Sequence, residues 1–118
     1  MPTLRFEYTD NLNIAHKLKS CFQEIHYILV DLIKTDLVTC RSLITCYQNY
    51  VAGDGNDKNA FMQLTITLLP GRTDALKQEL GNTLFEKISQ TFSEEISQCR
   101  TEIRVYIQEA VTGHYFGL

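Results

Sequence analysis

Alternating apolar and polar side chains open the chain and predict a β-strand at the amino terminus. Residues 3–8 read Thr-Leu-Arg-Phe-Glu-Tyr, so that Leu4, Phe6 and Tyr8 share one face and the polar residues share the other. The strand begins directly after Pro2. A terminus that enters a sheet at once is tied down, whereas most chain ends fray.

A helical pattern follows the first strand. Thr9, Asp10 and Asn11 form a polar turn whose side chains are suited to cap a helix start. Apolar residues then recur every three or four positions, which predicts a helix that fades between Asp31 and Thr35. The apolar stripe consists of Leu12, Ala15, Leu18, Phe22, Ile25 and Leu29, widened by Ile14, Cys21 and Ile28.

Two further strands and a second helix are predicted in the middle of the chain. A β-branched and aromatic run from Val38 to Tyr50 indicates the second strand, and a loop over residues 52–57 is dense in turn-forming residues. Residues 61–69 alternate as a third strand. A helix then opens at Thr73 and Asp74 and carries an apolar ladder of Leu76, Leu80, Leu84, Ile88, Phe92 and Ile96.

The last strand is expected over residues 102–109, where Ile103, Val105 and Ile107 alternate with polar neighbours. Glu94 and Glu95, on the preceding helix, are expected on its solvated side. The tail from residue 110 to residue 118 shows no clear period.

The element order β-α-β-β-α-β predicts an α+β fold made of two βαβ halves. A helix that connects neighbouring strands is normally a right-handed crossover, so the two strands of each half should run parallel. The four-stranded sheet then carries both helices on one face. The other face is semi-polar and is open to solvent or covered by other subunits; it bears Thr3, Arg5, Glu7, Gln63, Thr65 and Thr67.

Composition restricts the class of protein. The 118 residues form one domain, residues 1–118, of ordinary globular composition. The net charge of −3, without a dense basic run, argues against nucleic acid or an anionic membrane as a partner. No signal peptide or membrane span is recognisable, so we expect a cytoplasmic protein with four reduced cysteines. The histidines and cysteines show no metal-ligand spacing, and we expect no metal site.

Pro2 is the first candidate for chemistry. If Met1 is removed, Pro2 carries a secondary amine, and burial beside apolar groups would lower the pKa of that amine towards neutrality, where a general base works best. The alternative is a proline that merely begins a strand, a position that strands tolerate.

Two arginines are candidates for anion binding. Arg72 lies in the junction from Leu69 to Thr73, where its charge would add to the free N–H groups of a helix start. Arg41 lies among apolar residues of the second strand. The alternatives are a solvated arginine in a turn for Arg72 and an arginine that reaches past a sheet edge to water for Arg41.

These residues belong to a wider set that resembles a known family. The chain resembles the tautomerase superfamily, small βαβ-built enzymes with an amino-terminal proline as base, and within it the 5-carboxymethyl-2-hydroxymuconate isomerase family. Tyr47 and Tyr50 stand where the family pattern has tryptophan, and the tail is shorter than usual. The resemblance is carried by Met1-Pro2, Thr9-Asp10-Asn11, Arg41-Ser42, Asp54-Gly55, Ala60-Phe61, Gly71-Arg72 and Leu84-Phe85-Glu86.

The resemblance implies a catalytic site and an assembly. Pro2 would be the catalytic base, and Arg41 and Arg72 would bind a small anionic substrate bearing two or three carboxylates. The activity would be ketonisation, without a cofactor, of a 2-hydroxymuconate-type dienol in aromatic-compound catabolism by a cytoplasmic homotrimer. Two alternatives remain: a non-catalytic ferredoxin-like ligand-binding or assembly module, which shares this element order, and a tautomerase relative without activity.

Overall fold

Two strand–helix–strand units make up the chain. The computed structural model describes residues 1–118. Its element order confirms the predicted α+β fold. The elements are β1 (Thr3–Thr9), α1 (Ala15–Ile33), β2 (Arg41–Tyr47), β3 (Asn59–Leu68), α2 (Asp74–Thr91), α3 (Ser93–Ser97) and β4 (Arg100–Glu109).

The sheet has the strand order β2-β1-β3-β4. β1 runs parallel to β2, β3 runs parallel to β4, and the two units meet where β1 and β3 pair antiparallel. The predicted parallel pairing within each half is confirmed. In a ferredoxin-like fold another strand separates the two strands of each βαβ unit. The adjacent pairing in this sheet therefore does not fit the ferredoxin-like alternative.

The core lies between one face of the sheet and the two long helices. Twenty apolar residues are buried there, and they form a single cluster. Burial of apolar side chains is the main force that holds such a layer together. The fully buried side chains of largest volume are Phe6, Phe92, Leu4, Ile14, Ile25, Leu29, Met62, Leu64, Ile66, Leu68, Leu80 and Leu84.

The structure changes the predicted bounds of several elements. β2 ends at Tyr47, and β3 and β4 each begin two residues earlier than predicted, at Asn59 and Arg100. β2 begins at Arg41, because residues Leu37–Thr39 form a 3₁₀ turn in which the Asp36 side chain accepts a hydrogen bond from the backbone N–H of Val38. The second helix ends at Thr91 and continues as the short α3. Phe92, at the break, leaves the helical region with φ −108° and ψ 20°. It is nevertheless fully buried.

Asn11 does not cap a helix, contrary to the prediction. α1 begins at Ala15, and Ile14 precedes it without a side-chain cap. The Asn11 amide instead donates hydrogen bonds to the backbone carbonyls of Asp57, at 3.1 Å, and Asn59, at 2.8 Å. This side chain therefore joins the end of β1 to the loop before β3, because the backbone carbonyls there need donors.

Glu95 is not solvated, contrary to the prediction. It is 9% exposed, and its carboxylate lies 2.8 Å from the Nζ atom of Lys17 in α1. A carboxylate is rarely buried without a partner. The ion pair therefore explains how α3 can place Glu95 against α1.

One face of the sheet carries no helix. Its positions on β1 and β3 are mostly half-buried or exposed polar residues, as predicted, although Thr3 is only 4% exposed. Leu43 on β2 and Tyr106 on β4 add large exposed apolar surface to the same face. We call this the open face.

Candidate active site

The structure brings Pro2, Arg41 and Arg72 to one end of the sheet. β1 and β2 are parallel and begin at this end, whereas β3 is antiparallel to β1 and finishes there. Pro2 directly precedes β1, Arg41 is the first residue of β2, and Arg72 follows β3 by four residues. We call this the proline end, and we call the opposite end of the sheet the far end.

Pro2 is buried and held by the backbone of β2. Its carbonyl accepts a hydrogen bond from the N–H of Arg41 at 3.3 Å. The carbonyl of Met1 accepts another from the Thr39 hydroxyl at 3.4 Å. With Met1 attached, the Pro2 nitrogen is a tertiary amide without a basic lone pair. Removal of Met1 would leave a secondary amine at a position that the sheet already fixes.

The Cys40 thiol lies close to the amino terminus. Burial raises the pKa of this thiol, and the positive charge of the terminus opposes that rise. The Cys40 thiol is therefore partly shielded from water beside the first residues of the chain.

Arg41 is exposed on the open face and points one side of its guanidinium at β1. Its Nε donates a hydrogen bond to the Thr3 hydroxyl at 3.0 Å. Thr3 and Arg41 are partners in the parallel register, which places their side chains on the same face. None of the five ion pairs of the chain involves Arg41. Its terminal Nη groups are therefore free to bind an anion.

The guanidinium of Arg72 lies at the end of α1. The sequence had suggested a different place, the start of α2, where its charge would add to the free N–H groups. Its Nη1 and Nη2 donate to the carbonyls of Leu69, at 3.3 Å, and Ile33, at 3.4 Å. Ile33 ends α1, where unpaired carbonyls carry partial negative charge and attract a cation. At the start of α2 the Thr73 hydroxyl instead accepts from the N–H of Leu76 at 3.2 Å.

Arg72 still has donors to offer. A guanidinium carries five N–H groups, and the two backbone carbonyls use two of them. The side chain is half-buried and, like Arg41, takes part in no ion pair. Its charge at the proline end is therefore not neutralised by an acidic residue of the chain.

Several polar contacts near the site escaped the sequence analysis. His26 on α1 lies 2.8 Å from the Ser42 hydroxyl, next to Arg41 along β2, and burial lowers the pKa of this histidine. The contact between Thr3 and Arg41 was also missed. The parallel pairing of β1 and β2 was predicted, but a one-residue change in register would have removed this contact.

Two concavities of the chain lie away from these residues. One, of about 630 Å³, is at the far end between the loop at residues 51–53 and the starts of β3 and β4. The other, of about 1080 Å³, lies between α2 and β4. Neither is lined by Pro2, Arg41 or Arg72.

The chain presents neither a metal-binding cluster nor a membrane-spanning helix. No three side chains of His, Cys, Asp or Glu come together so that they could hold a metal ion. No helix combines the length and the apolar character that a bilayer crossing requires.

Comparison with known proteins provides a separate line of information. The family model described as 5-carboxymethyl-2-hydroxymuconate isomerase matches residues 2–115. Comparison with curated protein sequences finds no significant match.

Solved structures show the same fold at low sequence identity. A 5-carboxymethyl-2-hydroxymuconate isomerase from Deinococcus radiodurans R1 is 24% identical, with a TM-score of 0.90 over 99% of this chain and 88% of that chain. A 5-carboxymethyl-2-hydroxymuconate delta-isomerase is 16% identical, with a TM-score of 0.83 over 100% and 88%. A fused 4-OT described as a symmetric trimer is 20% identical, with a TM-score of 0.74 over 98% and 91%.

Proposed function

Because the chain belongs to the 5-carboxymethyl-2-hydroxymuconate isomerase family, we propose that this isomerase is a cofactor-independent keto–enol tautomerase of aromatic-compound catabolism. Its substrate is a 2-hydroxymuconate-type dienol bearing two or three carboxylates, and its product is the unsaturated 2-oxo isomer. One observation carries the proposal: Pro2 and two arginines without acidic partners lie at the same end of the sheet.

Pro2 acts as the base after removal of Met1. Its neutral secondary amine accepts the proton of the 2-hydroxyl, the double bonds shift along the conjugated chain, and the same amine returns the proton to a distant carbon. The substrate and product are therefore isomers, and no electron is gained or lost. Burial supports this role, because a dry site lowers the pKa of an amine towards the range in which it works as a base.

Arg41 and Arg72 bind carboxylate or enolate oxygens. Charge-assisted hydrogen bonds from a guanidinium suit a planar carboxylate, and they hold the substrate in register with Pro2. They also stabilise the negative charge that develops on these oxygens while the proton is in transit. Arg72 contributes with the N–H groups that the carbonyls of Leu69 and Ile33 leave free.

The protein acts as a homotrimer, with three sheets inside and the helices outside. One observation supports this assembly: the open face carries Leu43 and Tyr106 at 46% and 58% exposure. Neighbouring subunits would cover both. We further place the protein in the cytoplasm, where its four free cysteines would stay reduced.

The test follows ketonisation of 2-hydroxymuconate by ultraviolet absorbance, with Pro2→Ala as the variant. We expect the variant to lose about 10²–10⁴-fold in kcat, the usual contribution of a positioned acid–base group. Pro70→Ala is the matched control, since Pro70 is the other proline and is exposed. Equal rates for the wild type and Pro2→Ala would remove Pro2 as the base. A clean monomer in analytical ultracentrifugation would remove the trimer.

A further inference from the structure

The hydroxyl of Thr3 holds one side of the Arg41 guanidinium. The Nε atom of Arg41 donates to Thr3 Oγ1 at 3.0 Å, and Thr3 is 4% exposed. The backbone N–H of Arg41 meanwhile donates to the carbonyl of Pro2 at 3.3 Å. Two consecutive residues, Pro2 and Thr3, therefore fix both the backbone and the side chain of Arg41.

This contact limits how Arg41 can receive a carboxylate. A guanidinium binds a carboxylate bidentately either through its two Nη groups or through Nε and one Nη. Because Nε already donates to Thr3, only the pair of Nη groups remains for a bidentate contact. The guanidinium plane is also held before an anion arrives, which lowers the entropy lost on binding.

We propose that Thr3 is a positioning residue that presents the Nη groups of Arg41 to a substrate carboxylate. The inference rests on the proposed function, in which Arg41 binds that carboxylate beside Pro2. Thr3 itself need not touch the substrate. Its hydroxyl acts through Arg41. Because Thr3 directly follows Pro2, the position of the Arg41 guanidinium is fixed relative to the base.

Thr67 shows what a threonine at this end does without that role. Thr67 pairs with Thr3 in the antiparallel register, on the same open face. Its hydroxyl hydrogen-bonds the Gln108 side chain at 3.4 Å and does not contact an arginine. Substitution of either threonine by valine removes a hydroxyl from a strand and preserves the β-branched shape. Thr67→Val is therefore a matched control for Thr3→Val.

The experiment measures ketonisation of 2-hydroxymuconate by Thr3→Val, Thr3→Ser, Thr67→Val, Arg41→Gln and the double variant Thr3→Val/Arg41→Gln. We expect Thr3→Val to raise KM about five- to tenfold with kcat within about twofold, since it weakens an interaction made equally in the ground and transition states. Thr3→Ser should restore the wild-type KM. In the Arg41→Gln background, Thr3→Val should have no further effect.

A second measurement does not depend on activity. Proton exchange at Arg41 Nε, followed by nuclear magnetic resonance, should be slow in the wild type and in Thr3→Ser and fast in Thr3→Val. A raised KM for Arg41→Gln together with an unchanged KM for Thr3→Val would overturn the positioning role and leave the proposed function standing. Additive effects in the double variant would also overturn it. An unchanged KM for Arg41→Gln would overturn both the substrate-binding role of Arg41 and this inference.

Discussion

The two ends of the sheet use their polar side chains differently. At the far end several polar side chains pair with other groups of the chain: Asn59 donates to Asp54 and to the carbonyl of Ala52, and Lys17 pairs with Glu95. The backbone N–H of Asn56 and the amide of Asn59 lower the pKa of the Asp54 carboxyl. At the proline end, Arg41 and Arg72 have no carboxylate partner.

This difference separates folding from ligand binding. Lys77, at the same end as Pro2, pairs with both Asp74 and Glu109, so acidic residues are present at the proline end and pair with a lysine instead of with the two arginines. An arginine without a carboxylate partner keeps its charge for an anion. The far end should therefore govern stability, and the proline end should govern activity.

The largest expected difference between the ends comes from removing an arginine at each. We expect Arg41→Gln to lower kcat/KM for 2-hydroxymuconate by about 10–100-fold, because it removes charge-assisted hydrogen bonds to the substrate. Arg100→Gln, which removes the same charge at the far end, should stay within about twofold. Steady-state kinetics at one ionic strength makes the comparison. Equal losses in the two variants would mean that overall charge, and no local contact, attracts the substrate.

A smaller effect is expected from Asn11 at the far end. Asn11→Ala removes the donors to the carbonyls of Asp57 and Asn59, and it also removes a buried amide oxygen that has no partner. The second change offsets part of the first, so we expect the free energy of unfolding to fall by about 1 kcal/mol. Denaturant titration measures it.

The control for that variant lies two residues along the chain. Asn13 is exposed, and Asn13→Ala should leave the unfolding midpoint in place. The kcat of folded Asn11→Ala should equal that of the wild type. A loss of kcat without a loss of stability would contradict the division between the two ends.

The smallest effect concerns the pH dependence of stability. The hydrogen bond from Lys17 is the main cause that lowers the pKa of Glu95 below its ordinary value of 4.5. The ion pair therefore stabilises the fold above the unfolded-state pKa, and its contribution is lost as the pH falls through the lower, folded-state pKa. We expect Glu95→Gln to melt at a lower temperature than the wild type at neutral pH. The difference in melting temperature should disappear below about pH 4. Thermal melts of both proteins between pH 3 and pH 7 measure this difference, and a difference that grows as the pH falls would contradict the prediction.

The regular elements were predictable because their causes are local. The alternation of Leu4, Phe6 and Tyr8 and the four-residue ladder of α2 follow from the periods of strand and helix. Glu95 could not be placed in this way, since its partner Lys17 is 78 residues distant in sequence. The break at Phe92 could likewise not be predicted, because no glycine or proline lies near it in the sequence.

The candidate site was predictable in its residues and less so in its contacts. The sequence pattern singled out Pro2, Arg41 and Arg72, and the predicted parallel pairing explains why Pro2 and Arg41 meet. The contact of Arg72 with the end of α1 depends on how the helix lies on the sheet, which periodicity does not encode. The hydrogen bond between Thr3 and Arg41 depends on the register of β1 against β2. A sequence pattern does not give that register, because it does not define the first residue of each strand.

The central claim, that the Pro2 amine is the base, is tested most directly by comparing two forms of the protein that differ only in Met1. The chain is produced with and without a co-expressed methionine aminopeptidase, intact mass gives the fraction that retains Met1, and ketonisation of 2-hydroxymuconate is measured on each preparation. We predict that kcat rises in proportion to the fraction that has lost Met1 and that the Met1-retaining form is inactive. Equal turnover by the two forms would contradict the account.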